Sequence, residues 1–224
     1  MLSAVEMLKQ INSIISDLIN IGLCDRQSFP SIISGPENIQ EVGVKNSKVS
    51  FALKNLPYEI IYDELNNSEV YSIKMLDGAL IQLMYRFQNG KIIKHRLAFF
   101  PSPYLEEFQN NPDIYLEDVL FAEIVEKRIV PFPIRFDFDS SENEFVEIEH
   151  PKSHLTLGQY QNCRIPVSAP ITPYHFIEFV LRNFYHTAYK KYCDDISAFD
   201  SVFNSTITAN EIQISHLSVP SVEA

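Results

Sequence analysis

The dipeptide Asn89-Gly90 constrains the fold of this 224-residue chain more than any other feature. The runs 80–87 and 91–100 flank it, and both are rich in β-branched, aromatic and other apolar side chains. An Asn-Gly pair adopts the left-handed backbone angles of a tight turn between adjacent antiparallel strands. The sequence therefore predicts a β-hairpin within an antiparallel meander.

Other segments in the first half of the chain have different patterns. Residues 2–21 repeat apolar side chains at spacings of three and four, which predicts an amphipathic helix ending at Gly22. The residues of this stripe are Val5, Leu8, Ile11, Ile15 and Leu18. The polar stretch 24–48 predicts a loop. Further strands are expected at 50–53, 58–62 and 70–76, and helices at 104–110 and 114–127.

The second half begins with an alternating strand over 134–139, and 145–150 is expected to return beside it. Residues 154–157 predict a short third strand or loop. Thr172-Pro173 is typical of a helix start, and the helix is expected to continue to Tyr189. Residues 211–217 predict a last strand before a loose tail.

This order of elements predicts an α+β fold rather than a doubly wound parallel sheet. We expect one domain over 1–224, with an antiparallel meander or curved sheet packed against N-terminal, central and C-terminal helices. Its parts are an amphipathic helix (1–23), a sheet-rich part with central helices (49–160), a helix (172–192), and a strand with a loose tail (205–224).

Composition limits the function. The net charge of -11 disfavours broad neutralisation of nucleic-acid phosphates, but it leaves a local basic groove or a metal-assisted phosphodiesterase open. The three cysteines are widely spaced and predict neither a disulfide framework nor a zinc ribbon. Signal-peptide and membrane-spanning patterns are missing, so we expect a cytoplasmic protein without a membrane partner. Nucleotide-binding P-loop, dinucleotide, zincin and serine-hydrolase motifs are also missing.

Two carboxylates lie at the end of the 134–139 strand. Asp137 and Asp139 are two residues apart, so both project from one face of the strand, about 7 Å from each other. Such a pair can share a divalent cation or divide acid and base roles. Alternatively, Arg135 on the same face neutralises Asp137 and the acids are only a solvent-facing strand edge.

Two histidines follow. His150 and His154 are separated by Pro151, so they converge only if the chain bends there. Imidazoles are suited to proton transfer or metal ligation. The guanidinium of Arg164 can clamp a phosphate or carboxylate. The alternatives are structural histidines and an ion pair of Arg164 with Asp137, Asp139 or Glu149.

The predicted site therefore has three overlapping parts. The catalytic candidates are Asp137, Asp139, His150, His154 and Arg164. The substrate-binding candidates are Arg135, Arg164 and Ser153. The candidates for a metal site are Asp137, Asp139 and His150, which leaves a divalent metal as an open cofactor.

A resemblance to a known family rests on four segments: Arg-Phe-Asp-Phe-Asp (135–139), Glu-His-Pro-Lys-Ser-His-Leu-Thr-Leu-Gly (149–158), Cys-Arg-Ile-Pro-Val-Ser (163–168) and the helix 173–185. In these segments the chain resembles the bacterial domain-of-unknown-function family 2290, over most of its length. The resemblance implies no reaction. It carries an expectation of mobile or defence gene clusters.

The leading functional hypothesis is a hydrolase or nuclease-like component of a phage-defence or toxin system. It would act on a phosphodiester or another anionic substrate through the Asp/His/Arg cluster, and nucleic acid would bind only at this local site. The alternative is a non-catalytic, adaptor- or antitoxin-like subunit that binds a protein partner. In either case we expect a protein partner or a homo-oligomer.

Overall fold

The computed structural model describes residues 2–44, 56–104, 131–160 and 162–222. In these residues an open sheet of nine antiparallel strands packs with helices into one α+β domain. This confirms the predicted fold class. None of the described helices is long and apolar enough to cross a membrane.

The described elements follow in chain order. The first part contains α1 (Ala4–Asn20), β1 (Cys24–Gln27), β2 (Ser31–Ser34), β3 (Ile39–Gly43), α2 (Tyr58–Asn67) and β4 (Ile73–Met75). The central strands are β5 (Leu80–Gln88), β6 (Lys91–Phe100), β7 (Ile134–Asp139), β8 (Ser153–Leu157) and β9 (Ile165–Pro166). Then come α3 (Pro173–Phe184), α4 (His186–Tyr192), a short 3₁₀ turn (Cys193–Asp195) and α5 (Ala209–Ile212).

The sheet is built around the β5–β6 hairpin. The strand order is β1-β4-β5-β6-β7-β8-β9, and β3 pairs with the far half of β5 while β2 pairs with β3. Asn89 and Gly90 have φ values of 51° and 77°, the left-handed conformation that the Asn-Gly pair predicts. The predicted hairpin is therefore confirmed.

One face of the sheet is covered by α1 and α3. Alternate residues of the central strands, such as Leu83, Leu97 and Phe136, are almost fully buried against these helices. The rings of Phe136 and Phe176 meet edge-to-face at 5.9 Å. Burial of each large apolar side chain contributes roughly 1.5–3 kcal/mol, so the packing of α1 and α3 on this face stabilises the fold.

The opposite face is divided along the strands. At one end, α2 covers it, and Ile61, Tyr62 and Leu65 pack against Leu80, Ala98 and Phe100. At the other end, the same sheet face carries ionised side chains. We call this end the charged face; its residues are Glu41, Arg86, Lys94, Arg96, Arg135, Asp137 and Asp139. The candidate site lies here.

Several predictions for the first half are wrong. Residues 58–62 begin α2 instead of forming a strand, because a helix brings Ile61 and Leu65 onto one buried face. Residues 24–43 contain three short strands instead of a loop. Of the residues 70–76 expected to form a strand, only those of β4 (Ile73–Met75) do so. The predicted strand at 50–53 and most of the helices at 104–127 lie outside the described residues.

The amphipathic helix is confirmed as α1, with Ser3 as its N-cap. In the first turn of the helix the buried residue is Ala4 rather than the predicted Val5, which is 63% exposed. Gly22 has φ 74°, which suits the predicted stop. The buried residues of α1 are Ala4, Met7, Gln10, Ile11, Ile14, Ile15 and Leu18.

The second half also contains corrections. Residues 145–150 make only an isolated bridge between Val146 and His150, with Ile148 at φ 71°, and β8 pairs with β7 instead. Residues 211–217 do not form a strand: α5 begins after Thr208, which forms a capping box with Glu211. The predicted 173–189 helix starts at Thr172-Pro173 as expected but breaks at Tyr185.

His95 links the sheet to the segment before α3. Its side chain is buried between the rings of Tyr85 and Phe138, and its Nε2 accepts a hydrogen bond of 3.1 Å from the backbone N–H of Ile171. Burial lowers the pKa of His95 to about 4, although the nearby charge of Asp137 acts in the opposite direction. The folded protein therefore holds this imidazole neutral in weak acid.

This burial predicts a specific loss of stability on acidification. Between the ordinary pKa of 6.5 and the folded value of about 4, the unfolded chain binds a proton that the folded chain does not. The free energy of unfolding should fall across this window, by up to about 3 kcal/mol from His95 alone. Urea unfolding at pH 7.5, 5.5 and 4.5 measures this loss.

The variant His95→Gln keeps an acceptor for the Ile171 N–H but cannot be protonated in this range. We expect it to be less stable at pH 7.5 and less sensitive to pH than the wild type. His186→Gln, an exposed position, is the matched control and should keep the wild-type slope. Equal slopes for His95→Gln and the wild type would contradict the interpretation.

Candidate functional site

Two salt bridges connect β6 to β7 across the charged face. The strand register places Arg96 opposite Asp137 and Lys94 opposite Asp139. Arg96 Nε donates to Asp137 Oδ1 at 2.8 Å, and Lys94 Nζ donates to Asp139 Oδ2 at 2.8 Å. Both acids therefore project from one face of β7, as the alternation predicts, and each faces a cation of the neighbouring strand.

Asp137 is the better buried of the two carboxylates. Its side chain is 14% exposed, against 26% for Asp139. Burial alone would raise the pKa of Asp137, but the charges of Arg96 and Arg135 and the Arg96 hydrogen bond lower it to about 2. Asp137 is therefore ionised at all physiological pH values, and it acts as a fixed negative charge rather than as a proton donor.

Arg135 approaches the same carboxylate from its own strand. Its Nε lies 3.8 Å from Asp137 Oδ2, an ion pair without a hydrogen bond. Burial lowers the pKa of the Arg135 guanidinium, while Asp137 raises it. The predicted neutralisation of Asp137 by Arg135 is thus present, but Arg96 makes the shorter contact.

His154 lies opposite Asp137 on β8. Its Nδ1 is 2.9 Å from the Pro151 carbonyl oxygen. Because a carbonyl only accepts, Nδ1 carries the proton and Nε2 has the lone pair when the ring is neutral. The side chain is buried, and burial lowers the pKa of His154 while the charge of Asp137 raises it.

His150 meets His154 because the chain bends at Pro151. The two imidazole rings are edge-to-face with centroids 5.2 Å apart. Burial, and next the charge of Arg164, lower the pKa of His150. Both histidines are therefore mainly neutral near pH 7. The bend on which their convergence depends is present.

Arg164 borders the histidines from the next strand. It directly precedes β9, whose Pro166 pairs with His154. Its Nη1 makes one long contact of 3.5 Å with Asn162 Oδ1. Within the described ranges Arg164 makes no salt bridge, so the alternative ion pairs with Asp137, Asp139 or Glu149 are not formed there. Its positive charge is available to an anionic ligand.

Ser153 is not part of this cluster. It pairs with Phe138 on β7 and therefore faces the opposite side of the sheet from Asp137 and His154. Its hydroxyl is buried and lies 2.9 Å from that of Thr206. The position of Ser153 in the strand thus assigns it to the core rather than to substrate binding.

The predicted metal ligands do not form a metal-binding group. Among the residues that the structure describes, no set of three or more His, Cys, Asp and Glu side chains is placed to hold a metal ion. Asp137 and Asp139 face arginine and lysine, and His150 lies against His154. The arrangement instead offers cations for an anion and neutral imidazoles for proton transfer.

The site includes two cations of β6 that are absent from the sequence prediction. Lys94 and Arg96 alternate with the buried His95 and Leu97, which places both on one face of a predicted strand. That alternation could have identified a second polar row. Its pairing with Asp137 and Asp139 depends on the β6–β7 register, which single-sequence patterns do not give.

Comparison with known proteins identifies the family of the chain. Residues 23–219 match the family described as "Uncharacterized conserved protein (DUF2290)". The chain belongs to this family, which confirms the resemblance noted in its sequence. No curated protein and no solved structure matches the chain.

The geometry predicts that Asp137 stabilises the fold at this site. Asp137→Asn would remove the carboxylate charge that faces Arg96 and Arg135, whose side chains are 15% and 31% exposed, and breaking such a partly buried ion pair costs about 3 kcal/mol. Chemical denaturation at pH 7 measures the free energy of unfolding.

Glu142→Gln is the matched control because it breaks the Lys152–Glu142 pair, in which Glu142 is 74% exposed. An exposed pair contributes at most about 1 kcal/mol. Equal losses for the two variants would show that Asp137 is no more important than a surface acid.

Proposed function

We propose that the charged face, together with Arg164 and the two histidines, binds a phosphodiester and hydrolyses it. One observation carries the proposal: with Arg164, this face has five cationic side chains and three carboxylates, in a protein of net charge -11. A local excess of positive charge on an acidic protein focuses anions onto one place. A phosphate is therefore the ligand group that this face suits best.

The arginines have different parts in this proposal. Arg164 is the cation that can turn to a phosphate oxygen without giving up a salt bridge. Arg96 is held by a hydrogen bond to Asp137, which orients its guanidinium before any ligand binds. Asp137 remains charged, but its charge is compensated by Arg96 and Arg135.

The histidines supply the proton transfer. His154 presents an Nε2 lone pair, because Nδ1 donates to the Pro151 carbonyl. A neutral imidazole can take a proton from an attacking water or sugar hydroxyl, and the imidazolium can return it to the leaving oxygen. His150 lies beside His154 and is the second proton carrier. The phage-defence or toxin setting stays a prediction of the family resemblance.

Cleavage assays with the purified chain test this function. Labelled single-stranded RNA, single-stranded DNA and duplex DNA are incubated with Mg²⁺, with Mn²⁺ or with a chelator. We expect cleavage of at least one substrate. His150→Ala and His154→Asn should slow it by about 100-fold or more, as for loss of a general acid–base group.

His154→Asn is preferred to alanine because its side-chain amide can still donate to the Pro151 carbonyl. Both variants should melt within a few degrees of the wild type, and the exposed His186→Ala should keep full activity. If no substrate is cut, or if the variants cut at the wild-type rate, the hydrolytic proposal is wrong. A large fall in melting temperature would make the histidines structural.

A second candidate is supported by a different observation. The turn containing Val146 and Ile148 lies against α5, since the Ile148 N–H donates to Glu211 Oε1 at 3.4 Å. Val146, Ile148, Ile212 and Ile214 are all between 39% and 51% exposed. Clustered apolar side chains are typical of protein–protein contacts. This surface supports the alternative of a non-catalytic, partner-binding protein.

Self-association is the form of this candidate that the chain alone can test. Sedimentation equilibrium compares the wild type with the double variant Ile148→Ser, Ile212→Ser. An oligomer that the double variant converts to a monomer would support an interface at this surface. Identical masses for the two proteins would exclude self-association through this surface.

A further inference from the structure

A cleft of about 340 Å³ opens on the charged face, next to the part of the proposed site that holds Asp137 and the histidines. Its lining comes from β2, β3, β5 and β6 and from Val44. The core residue His95 borders it, whereas His150 and His154 do not. Its volume is at the lower end of the range of about 300–1,000 Å³ for small-molecule sites. One compact group of a ligand fits it.

The cleft has an apolar floor and a charged rim. Ile33, Val44 and Met84 provide the apolar contacts. The rim has three cations and one carboxylate, namely Arg86, Lys94, Arg96 and Glu41. Arg86 is held against Glu41 by hydrogen bonds, and its Nε lies 2.8 Å from Glu41 Oε1. This combination suits a flat apolar group attached to an anion.

Gly43 keeps the wall of the cleft open. It is the last residue of β3, beyond Val42, which pairs with Tyr85, and it faces the side chain of Met84. A Cβ at Gly43 would lie 3.4 Å from Met84 Cγ, an ordinary contact, and the backbone here is not left-handed. Neither packing nor conformation requires glycine. Glycine inside a strand weakens it and often marks the close approach of a ligand.

We propose that this cleft binds one nucleobase of the substrate, so that the substrate is single-stranded nucleic acid. A planar base can lie on the Met84 side chain and beside the guanidinium of Arg86 or Arg96, as bases do on apolar and arginine surfaces. Only an unpaired base can enter a cleft of this size. This inference rests on the proposed phosphodiester site and names its substrate class.

The two sites are spaced to serve one ligand. Arg96 belongs to both, because it lines the cleft and binds Asp137. His154 is on β8, two strands from β6, which is about 10 Å at the usual strand separation. A base in the cleft would thus place its own or a neighbouring phosphate near Arg96, Arg164 and the histidines.

Calorimetric titration with two probes tests the assignment. Adenosine 5′-monophosphate carries a base, whereas ribose 5-phosphate has the same sugar phosphate without one. We expect the nucleotide to bind about tenfold more tightly, in line with the energy of stacking one base. The Met84 methyl signal in a ¹³C-labelled protein should shift with the nucleotide and not with the sugar phosphate.

Three variants separate the two sites. Gly43→Val fills the cleft and should remove the tenfold advantage of the nucleotide while leaving the affinity for ribose 5-phosphate unchanged. Arg96→Gln should weaken both probes. Gly35→Ala, in the turn before β3 and outside the cleft lining, is the control and should bind as the wild type.

The outcomes are distinguishable. If both probes bind equally and Gly43→Val changes neither, the cleft is not a base site, but the anion site stands. If Gly43→Val weakens ribose 5-phosphate as much as the nucleotide, the cleft assignment is also overturned. If neither probe binds, the proposed function fails and this inference fails with it.

Discussion

The register in which β5, β6 and β7 pair is the constraint on which the rest of the structure depends. In these strands, alternate residues are buried under α1 and α3, while the others face α2 or form the charged face. A register slip of one residue would move Arg96 and Asp137 into the apolar core and expose Leu97 and Phe136. The large energetic cost of that exchange fixes the alignment, and the alignment in turn fixes which cation meets which carboxylate.

The electrostatics of the site follow from this alignment. Partial burial makes the charges of Arg96, Arg135 and Asp137 depend on their neighbours, because each loses part of its hydration. Asp137 responds by remaining ionised between two arginines, and the histidines respond by staying neutral. One face of the sheet thus combines permanent charges with groups that can exchange protons, which is the combination that the proposed chemistry needs.

The sequence predicted features that depend on local patterns, and it missed those that depend on pairing between distant segments. The Asn89-Gly90 turn, the common face of Asp137 and Asp139 and the helix start at Thr172 are all visible within a few residues. The contribution of Arg96, and the position of Ser153 in the core, depend on strand register. The strand prediction for residues 58–62 is wrong because aromatic and β-branched side chains favour strands on average, whereas tertiary packing places Ile61 and Leu65 on a helix.

The position of α1 has a consequence for how the molecule is divided. The family match begins at residue 23, after α1, yet Met7, Ile11, Ile14 and Leu18 are completely buried in the main core. The helix therefore belongs to the same cooperative folding unit as the sheet that it covers. A fragment trimmed to the family boundary would expose one apolar side of β3 and β5 to water, and would be prone to aggregate rather than to report on the site. The unit that folds is longer than the unit recognised by similarity.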